Sequence, residues 1–283
     1  MPRMSPTPTA LVTGANSGIG LETARGLARS GYRVLMLCRH EGRAAAAKAD
    51  IDASVPGATT EIVLCDMGEQ AAVRAVATDL LARLDRLDLL VNNAGLTLRK
   101  PARTSEGHDV MLAVNHLGPF LLTNLLLPLL EASAPSRVVT VASDAHRWGR
   151  IHFDDLEATG GYGFMSFPHY GNTKLMNILF TMALARRLEG TGVTANCVHP
   201  GGVHTNIGAP PKFLDPIMRV LLKTPEQGAR TSLYVATSPE GASRSGSYFA
   251  KERLADKRLA KRARDADLAE RLWDVSAELV GLG

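Results

Sequence analysis

TALVTGANSGIGLETARGLA, residues 9–28, is the stretch that decides the fold. Thr9 to Val12 is a short apolar run of the kind that forms a buried strand. From Gly18 to Ser30, Leu21, Ala24, Leu27 and Ala28 recur at helical spacing. Between strand and helix lie Gly14, Gly18 and Gly20, with Asn16, Ser17 and Ile19 among them. Such a turn lets the backbone approach a pyrophosphate, whose negative charge faces the helix N-terminus. The spacing is T-G-x-x-x-G-x-G rather than G-x-G-x-x-G, so the turn by itself is weak evidence for a nucleotide.

The same alternation continues outward. Further strands are expected near Arg33, Glu61, Leu87, Arg137, Val193 and Ser247, each separated by helical patterning. Strands linked in this way form a parallel sheet covered by helices on both faces. The predicted fold is therefore α/β: a single doubly wound Rossmann-type sheet of seven strands within one domain, residues 1–283. With 45% hydrophobic residues, the chain can bury a large core. Residues 1–8, rich in proline, read as a loose tail.

The second strand, RVLMLC, ends at Cys38, and Arg39 follows. In dinucleotide folds an acidic residue about 20 residues beyond the glycines takes the ribose hydroxyls and selects NAD. Here a cysteine stands in that place beside an arginine, which suits a 2′-phosphate and favours NADP(H). An arginine capping a strand end in solvent is the plainer alternative.

Tyr170 and Lys174, in HYGNTKLMNILF, lie one helical turn apart. A free tyrosine has a pKa of about 10, and a nearby cation favours the phenolate. The pair could therefore serve as an acid or base near neutrality. Tyrosine and lysine at this spacing also occur on many solvated helix faces.

These segments, with NNAG (Asn92 to Gly95), VNHLGPFLLTNLLLPLL (Val114 to Leu130), VVTVASDAH (Val138 to His146) and PGGVHT (Pro200 to Thr205), resemble the short-chain dehydrogenase/reductase family. Within it they resemble the retinol-dehydrogenase-like branch, from about Thr9 to about Phe249. The resemblance implies a NADP-dependent oxidoreductase of the EC 1.1.1 type. Tyr170 would act as general acid in carbonyl reduction and Ser143 would hydrogen-bond the substrate oxygen. Lys174 would lower the Tyr170 pKa and hold the nicotinamide ribose, and Asn115 would hold a water leading to solvent. The resemblance also assigns Ser17 and Ile19 to the phosphates and Asp66 with Met67 to the adenine. It sets Asn93, Ala94 and Gly95 along the ribose, and Pro200, Gly201, Val203 and Thr205 at the nicotinamide. Ala142 and Gly202 depart from the branch pattern without removing a catalytic group.

Other features narrow the class. The net charge is only +4, from 32 basic and 28 acidic residues. The basic C-terminal stretch, residues 251–283, interleaves Asp and Glu with its arginines and reads as a solvated, charged helical extension rather than a nucleic-acid surface. Cys38, Cys65 and Cys197 form no CxxC, and the histidines form no HExxH, so neither a metal nor a disulfide scaffold is expected. The longest apolar run, Leu117 to Leu130, is 14 residues and contains prolines, which predicts no membrane span and a cytoplasmic protein. Residues 206–224, with Phe213, Ile217, Met218 and Leu221, read as a substrate lid for a lipophilic ketone, aldehyde or alcohol. Helices near Val110 to Leu130 and Tyr170 to Leu188 are apolar on more than one face, which suggests a homodimer or homotetramer. Two alternatives stay open: a biosynthetic ketoreductase of a polyketide-derived aromatic, and a catalytically silent NADPH-binding sensor.

Overall fold

A computed structural model describes residues 7–162, 166–202 and 223–283. Among these, the strands are β1 Thr9–Thr13, β2 Arg33–Cys38, β3 Thr59–Leu64, β4 Leu89–Asn92, β5 Ser136–Val141, β6 Val193–His199 and β7 Tyr248–Ala250. All seven join one sheet in the order β3-β2-β1-β4-β5-β6-β7, and every pairing is parallel. The order reverses at β1, where the first crossover turns one way and the second turns the other. The crevice at the carboxyl ends of β1 and β4 is where a ligand binds in such a sheet.

The helices are α1 Gly18–Arg29, α2 Glu41–Ser54, α3 Gln70–Arg83, α4 Val110–Ala132, α5 Phe167–Arg187, α6 Pro225–Thr237, α7 Pro239–Ser243 and α8 Ala266–Leu279. The core divides across the sheet. Leu11, Leu35, Leu90 and Val138 face α3, α4 and α5, whereas Val12, Met36, Val91 and Val139 face α1, α2 and α6. Alternate strand residues thus serve opposite layers, and both layers are apolar because the sheet is buried on both sides.

Two expectations need correction here. α4 is one continuous helix of 23 residues, long and apolar enough to cross a membrane, rather than a 14-residue run. Pro119 follows directly on a π-helical turn, Ala113–Leu117, where the regular ladder of hydrogen bonds is already interrupted, and Pro128 lies inside the regular part. Within this fold 78% of the helix's most apolar window is buried.

The C-terminal stretch is likewise not a solvated extension. Lys251 and Glu252 adopt positive φ, the Asp256 carboxylate accepts from Tyr248 N at 2.7 Å, and short 3-10 turns occupy Asp256–Arg258 and Lys261–Arg264. Tertiary hydrogen bonds override the helix propensity of this segment. Only α8 is helical, and Ala269, Leu272 and Ala277 bury one face of it. Trp273 packs at 4.9 Å from Phe120 and 5.9 Å from Phe180, with the Arg187 guanidinium 4.0 Å from its ring. Part of the α4 and α5 surface that the sequence offers to a second subunit is therefore covered by the chain's own last helix.

Candidate active site

The glycine turn after β1 is shaped by close backbone approach. Gly14 and Gly18 take φ of 67° and 55°. A Cβ on Gly20 would lie 2.2 Å from Gly14 O. Ser17 caps α1 without a side-chain hydrogen bond to it, so its hydroxyl and the first-turn N–H groups face the crevice as donors. The turn after β4 is sewn to it: Asn93 N and Ala94 N donate to Thr13 Oγ1 at 3.0 and 2.9 Å, and Asn93 Nδ2 donates to Thr13 O at 2.8 Å.

A cleft of about 760 Å3 runs along these turns. One end is lined by Gly14, Asn16, Ser17, Gly18, Ile19 and Gly20. Beyond them lie Cys38, Arg39, His40, Arg43, Asp66 and Met67, and the opposite end holds Ser143, Tyr170, Lys174, Pro200 and Gly201.

At that second end, Ser143 follows the last residues of β5 and Tyr170 lies in the first turn of α5. The Ser143 hydroxyl accepts from Ala145 N at 3.1 Å and stands near enough to the Tyr170 phenol to act on it. Lys174 Nζ, one turn further, lies 5.5 Å from the Tyr170 ring centre and donates to Val141 O at 3.0 Å. Burial pushes the Tyr170 phenol up to about 12, against the nearby Ser143 hydroxyl, which pulls it down. Burial also brings the Lys174 ammonium down to about 8. A hydroxyl, a phenol and an amine thus open into the cleft that the glycine turn also lines, which is an arrangement for moving a proton to or from an oxygen.

The family model for short chain dehydrogenases matches residues 8–155 and 156–212. This chain belongs to the short-chain dehydrogenase family. It is 44% identical to retinol dehydrogenase 14 of Homo sapiens over 97% of this chain and 86% of that protein. It is 43% identical to retinol dehydrogenase 11 of Mus musculus, over 98% and 87% respectively. Dehydrogenase/reductase SDR family member 13 of Homo sapiens is 44% identical, over 97% of this chain and 74% of that protein. Among solved structures, an uncharacterized protein from Mycobacterium paratuberculosis superposes with a TM-score of 0.78 at 34% identity, covering 97% of this chain and 93% of that one. An actinorhodin polyketide ketoreductase variant with NADPH superposes with a TM-score of 0.67 at 27% identity, covering 87% and 95%.

These relatives overturn the cytoplasmic placement. This dehydrogenase is similar to retinol dehydrogenase 14 and to dehydrogenase/reductase SDR family member 13, and α4 is long and apolar enough to cross a membrane.

The remaining expected residues of this dehydrogenase divide as follows. Val203, Thr205 and nearly all of the lid, residues 206–222, lie outside the described residues. The two ends of that stretch meet, because Lys223 N donates to Gly202 O at 2.8 Å beside the cleft. Asn115 does not line the cleft. It sits in a π-helical turn, Ala113–Leu117, and its amide pairs with the backbone of Leu96 at 2.7 and 2.9 Å and with Thr173 Oγ1 at 3.1 Å. Its side chain therefore ties the loop after β4 to α4 and α5, while Asn115 Oδ1 and Lys174 Nζ would both lie 3.4 Å from a Cβ on Gly95. π-turns of this kind gather at functional sites. Lys174 is not what moves the Tyr170 phenol among the protein groups: burial dominates, and the direction is upward rather than downward.

Four site features of this dehydrogenase escaped the sequence reading. Arg43, one turn into α2, is exposed at the cleft without a hydrogen bond or ion pair among the described residues. Arg39 lies only 3.5 Å from Asp66 at the same end. Trp148 and Phe167 are 61% and 49% exposed, stand 5.5 Å apart, and bring an aromatic edge to 6.2 Å from Tyr170. Finally, a buried Asp109 accepts from Tyr162 Oη at 2.6 Å, from Leu112 N at 2.9 Å and pairs with His169 Nε2 at 3.0 Å, next to Tyr170. Only the aromatic composition of the segment before Tyr170 hinted at any of these.

Burial alone would raise the Asp109 carboxyl, but hydrogen bonds from His169 and Tyr162 outweigh it and hold the group below its ordinary range. Stability from this carboxylate is present above about pH 4 and is lost as pH falls through the lowered folded value. Asp109→Ala is expected to cost about 3 kcal/mol in urea unfolding at pH 7, with a smaller deficit in acid. An equal deficit at both pH values would count against these hydrogen bonds to the carboxylate.

Proposed function

We propose that this oxidoreductase is NADP(H)-dependent and moves a hydride between nicotinamide and the carbonyl or alcohol carbon of a lipophilic substrate. It works as a ketone or aldehyde reductase with Tyr170 as general acid, on one domain spanning residues 1–283. The observation that carries the reading is the opening of Ser143, Tyr170 and Lys174 into the same cleft as the glycine turn and Arg39. The cradle fits a dinucleotide: left-handed glycines, an uncapped helix start and a cationic far end.

Ser17 and the α1 N-terminus would hold the phosphates, and Arg39 with Arg43 would hold a 2′-phosphate. Asp66 and Met67 would border the adenine, Ala94 and Gly95 the ribose, and Pro200 and Gly201 the nicotinamide. The bound nicotinamide supplies or accepts the hydride. Ser143 donates a hydrogen bond to the substrate oxygen, and Tyr170 Oη passes its proton to that oxygen as charge develops there. A phenol near 12 is fully protonated at neutral pH, which suits an acid better than a base. Lys174 keeps a positive charge beside the phenolate that remains.

The lipophilic substrate is supported by the Trp148–Phe167 edge and by relatives named for retinol, a polyene alcohol. A substrate panel followed at the NADPH absorbance tests this; turnover of small hydrophilic ketones with none of bulky apolar ones would defeat it. Arg39→Ala is expected to reduce the kcat/KM preference for NADPH over NADH by about 10- to 100-fold, the worth of one charge-assisted hydrogen bond. Arg43→Ala should lower it further. An unchanged preference in the double variant would remove the 2′-phosphate assignment. A homodimer or homotetramer is part of the proposal, and light scattering that returns only a 30.2 kDa particle would exclude it.

A further inference from the structure

Behind Ser143 lies a second polar cluster that the chemistry above does not use. Asp144, the next residue, turns its carboxylate away from Tyr170. Its Oδ1 accepts from Tyr248 Oη at 2.9 Å, and its Oδ2 accepts from the Arg258 guanidinium. The same Oδ2 lies 3.5 Å from His199 Nε2, while Asp144 N donates to His199 Nδ1 at 3.3 Å. With Nδ1 accepting, the neutral ring carries its proton on Nε2, toward the carboxylate. Burial takes His199 down to about 4, so at neutral pH Arg258 is the cation that balances Asp144.

The segment that carries Arg258 is bound to the Ser143 loop at three more places. Arg147 donates to the Arg258 carbonyl at 3.1 and 2.8 Å. Ala260 N donates to His146 Nε2 at 3.2 Å, and His146 Nδ1 reaches Ser143 O at 2.7 Å. Arg262 donates to Gly149 O at 2.6 Å. On its other side the loop is pinned to α5: a Cβ on Gly149 would lie 2.3 Å from Gly171 O, and Arg150 N donates to Asn172 Oδ1 at 2.8 Å. The residues from Ser143 to Arg150 are thus gripped between the start of α5, which carries Tyr170, and a strap from the C-terminal segment, Asp256–Arg264.

We infer that Arg258 and Asp144 are positioning residues for Ser143: their ion pair fastens the C-terminal strap to the loop and keeps the serine hydroxyl beside Tyr170. This rests on the proposed role of Ser143. A serine displaced by an ångström loses its place beside Tyr170 and its reach to a substrate oxygen, whereas the glycine turn and Arg39, proposed to hold the coenzyme phosphates, touch neither Asp144 nor Arg258. The pair should therefore govern turnover and leave coenzyme affinity alone.

The test is a double-mutant cycle on the full chain. Arg258→Met keeps the apolar stem and removes the charge at a side chain 39% exposed, so folding should survive. We expect kcat to fall roughly 10- to 100-fold, with NADPH affinity by fluorescence unchanged, and Arg258→Lys to recover part of the loss. In a Ser143→Ala background the same substitution should have no further effect. Unchanged kcat, or a loss that adds in full to that of Ser143→Ala, would overturn the inference and leave the strap a folding element. Full turnover by Ser143→Ala itself would instead defeat the reading of the site. Should Arg258→Met not fold, Tyr248→Phe removes one bond to Asp144 and carries the same cycle. A several-fold kcat loss that vanishes in Ser143→Ala supports the inference, and any other result opposes it.

Discussion

Replacing Tyr170 by Phe is expected to lower kcat by roughly 100- to 10,000-fold while NADPH affinity and thermal midpoint stay near those of the parent. The ring remains, so packing at the start of α5 is preserved; only the hydroxyl beside Ser143 is lost. The phenol is pushed up to about 12, so across pH 6 to 9 its proton is present and contributes no pH dependence to reduction. Lys174 behaves differently. Brought down to about 8, it is charged below that pH and neutral above it. The reductive rate should accordingly decline as pH rises through about 8, and Lys174→Met should flatten that decline at a lower plateau. Turnover by Tyr170→Phe within a few-fold of the parent, coenzyme being bound, would remove the tyrosine from the mechanism.

The second large effect is expected at Gly20. An added Cβ would lie 2.2 Å from Gly14 O and 2.4 Å from Asn93 Nδ2, closer than such atoms approach. Neither neighbour is free to retreat. Gly14 is held at φ 67°, and Asn93 Nδ2 donates to Thr13 O at 2.8 Å. Gly20→Ala must therefore open the turn between β1 and α1, at a cost of about 3 kcal/mol or more. A distorted turn also spoils the phosphate cradle, so coenzyme affinity should fall by more than tenfold, an amount worth about 1.4 kcal/mol. Gly42→Ala is the control. It lies in α2 with nothing within 4 Å of an added Cβ, and it should be neutral or stabilise by up to about 1 kcal/mol. If both variants melted alike and bound NADPH alike, the close-approach argument for Gly20 would fail.

Much of the fold was legible because its signals are local. Short apolar runs between helical patterns mark strands whatever lies elsewhere in the chain, and all seven expected strands are present in one parallel sheet. The site was legible where local geometry carries it. The turn from β1 to α1 brings Gly14 through Gly20 to the cleft, and a four-residue step along α5 brings Tyr170 and Lys174 to it. Less legible was α4, where Pro119 and Pro128 looked like interruptions although the helix runs through both, the first directly after a π-helical turn. The C-terminal segment is hard to read for a related reason. Its alternating charges suit a solvated helix, yet Arg258 and Arg262 each find partners more than 100 residues away.

The order of residues alone determined the alternating strands and helices, the glycine turn, the spacing of the tyrosine and lysine, and family membership. All of these rest on backbone preferences and periodicities that act within a few residues. Only the tertiary structure decided the burial of Tyr170 and Lys174, the engagement of Asn115 with Leu96, the exposure of Arg43 at the cleft and the grip on Ser143. Each of those depends on burial and on hydrogen bonds between distant segments. Removal from water and the placement of a partner are properties of the packed chain, which no local pattern encodes.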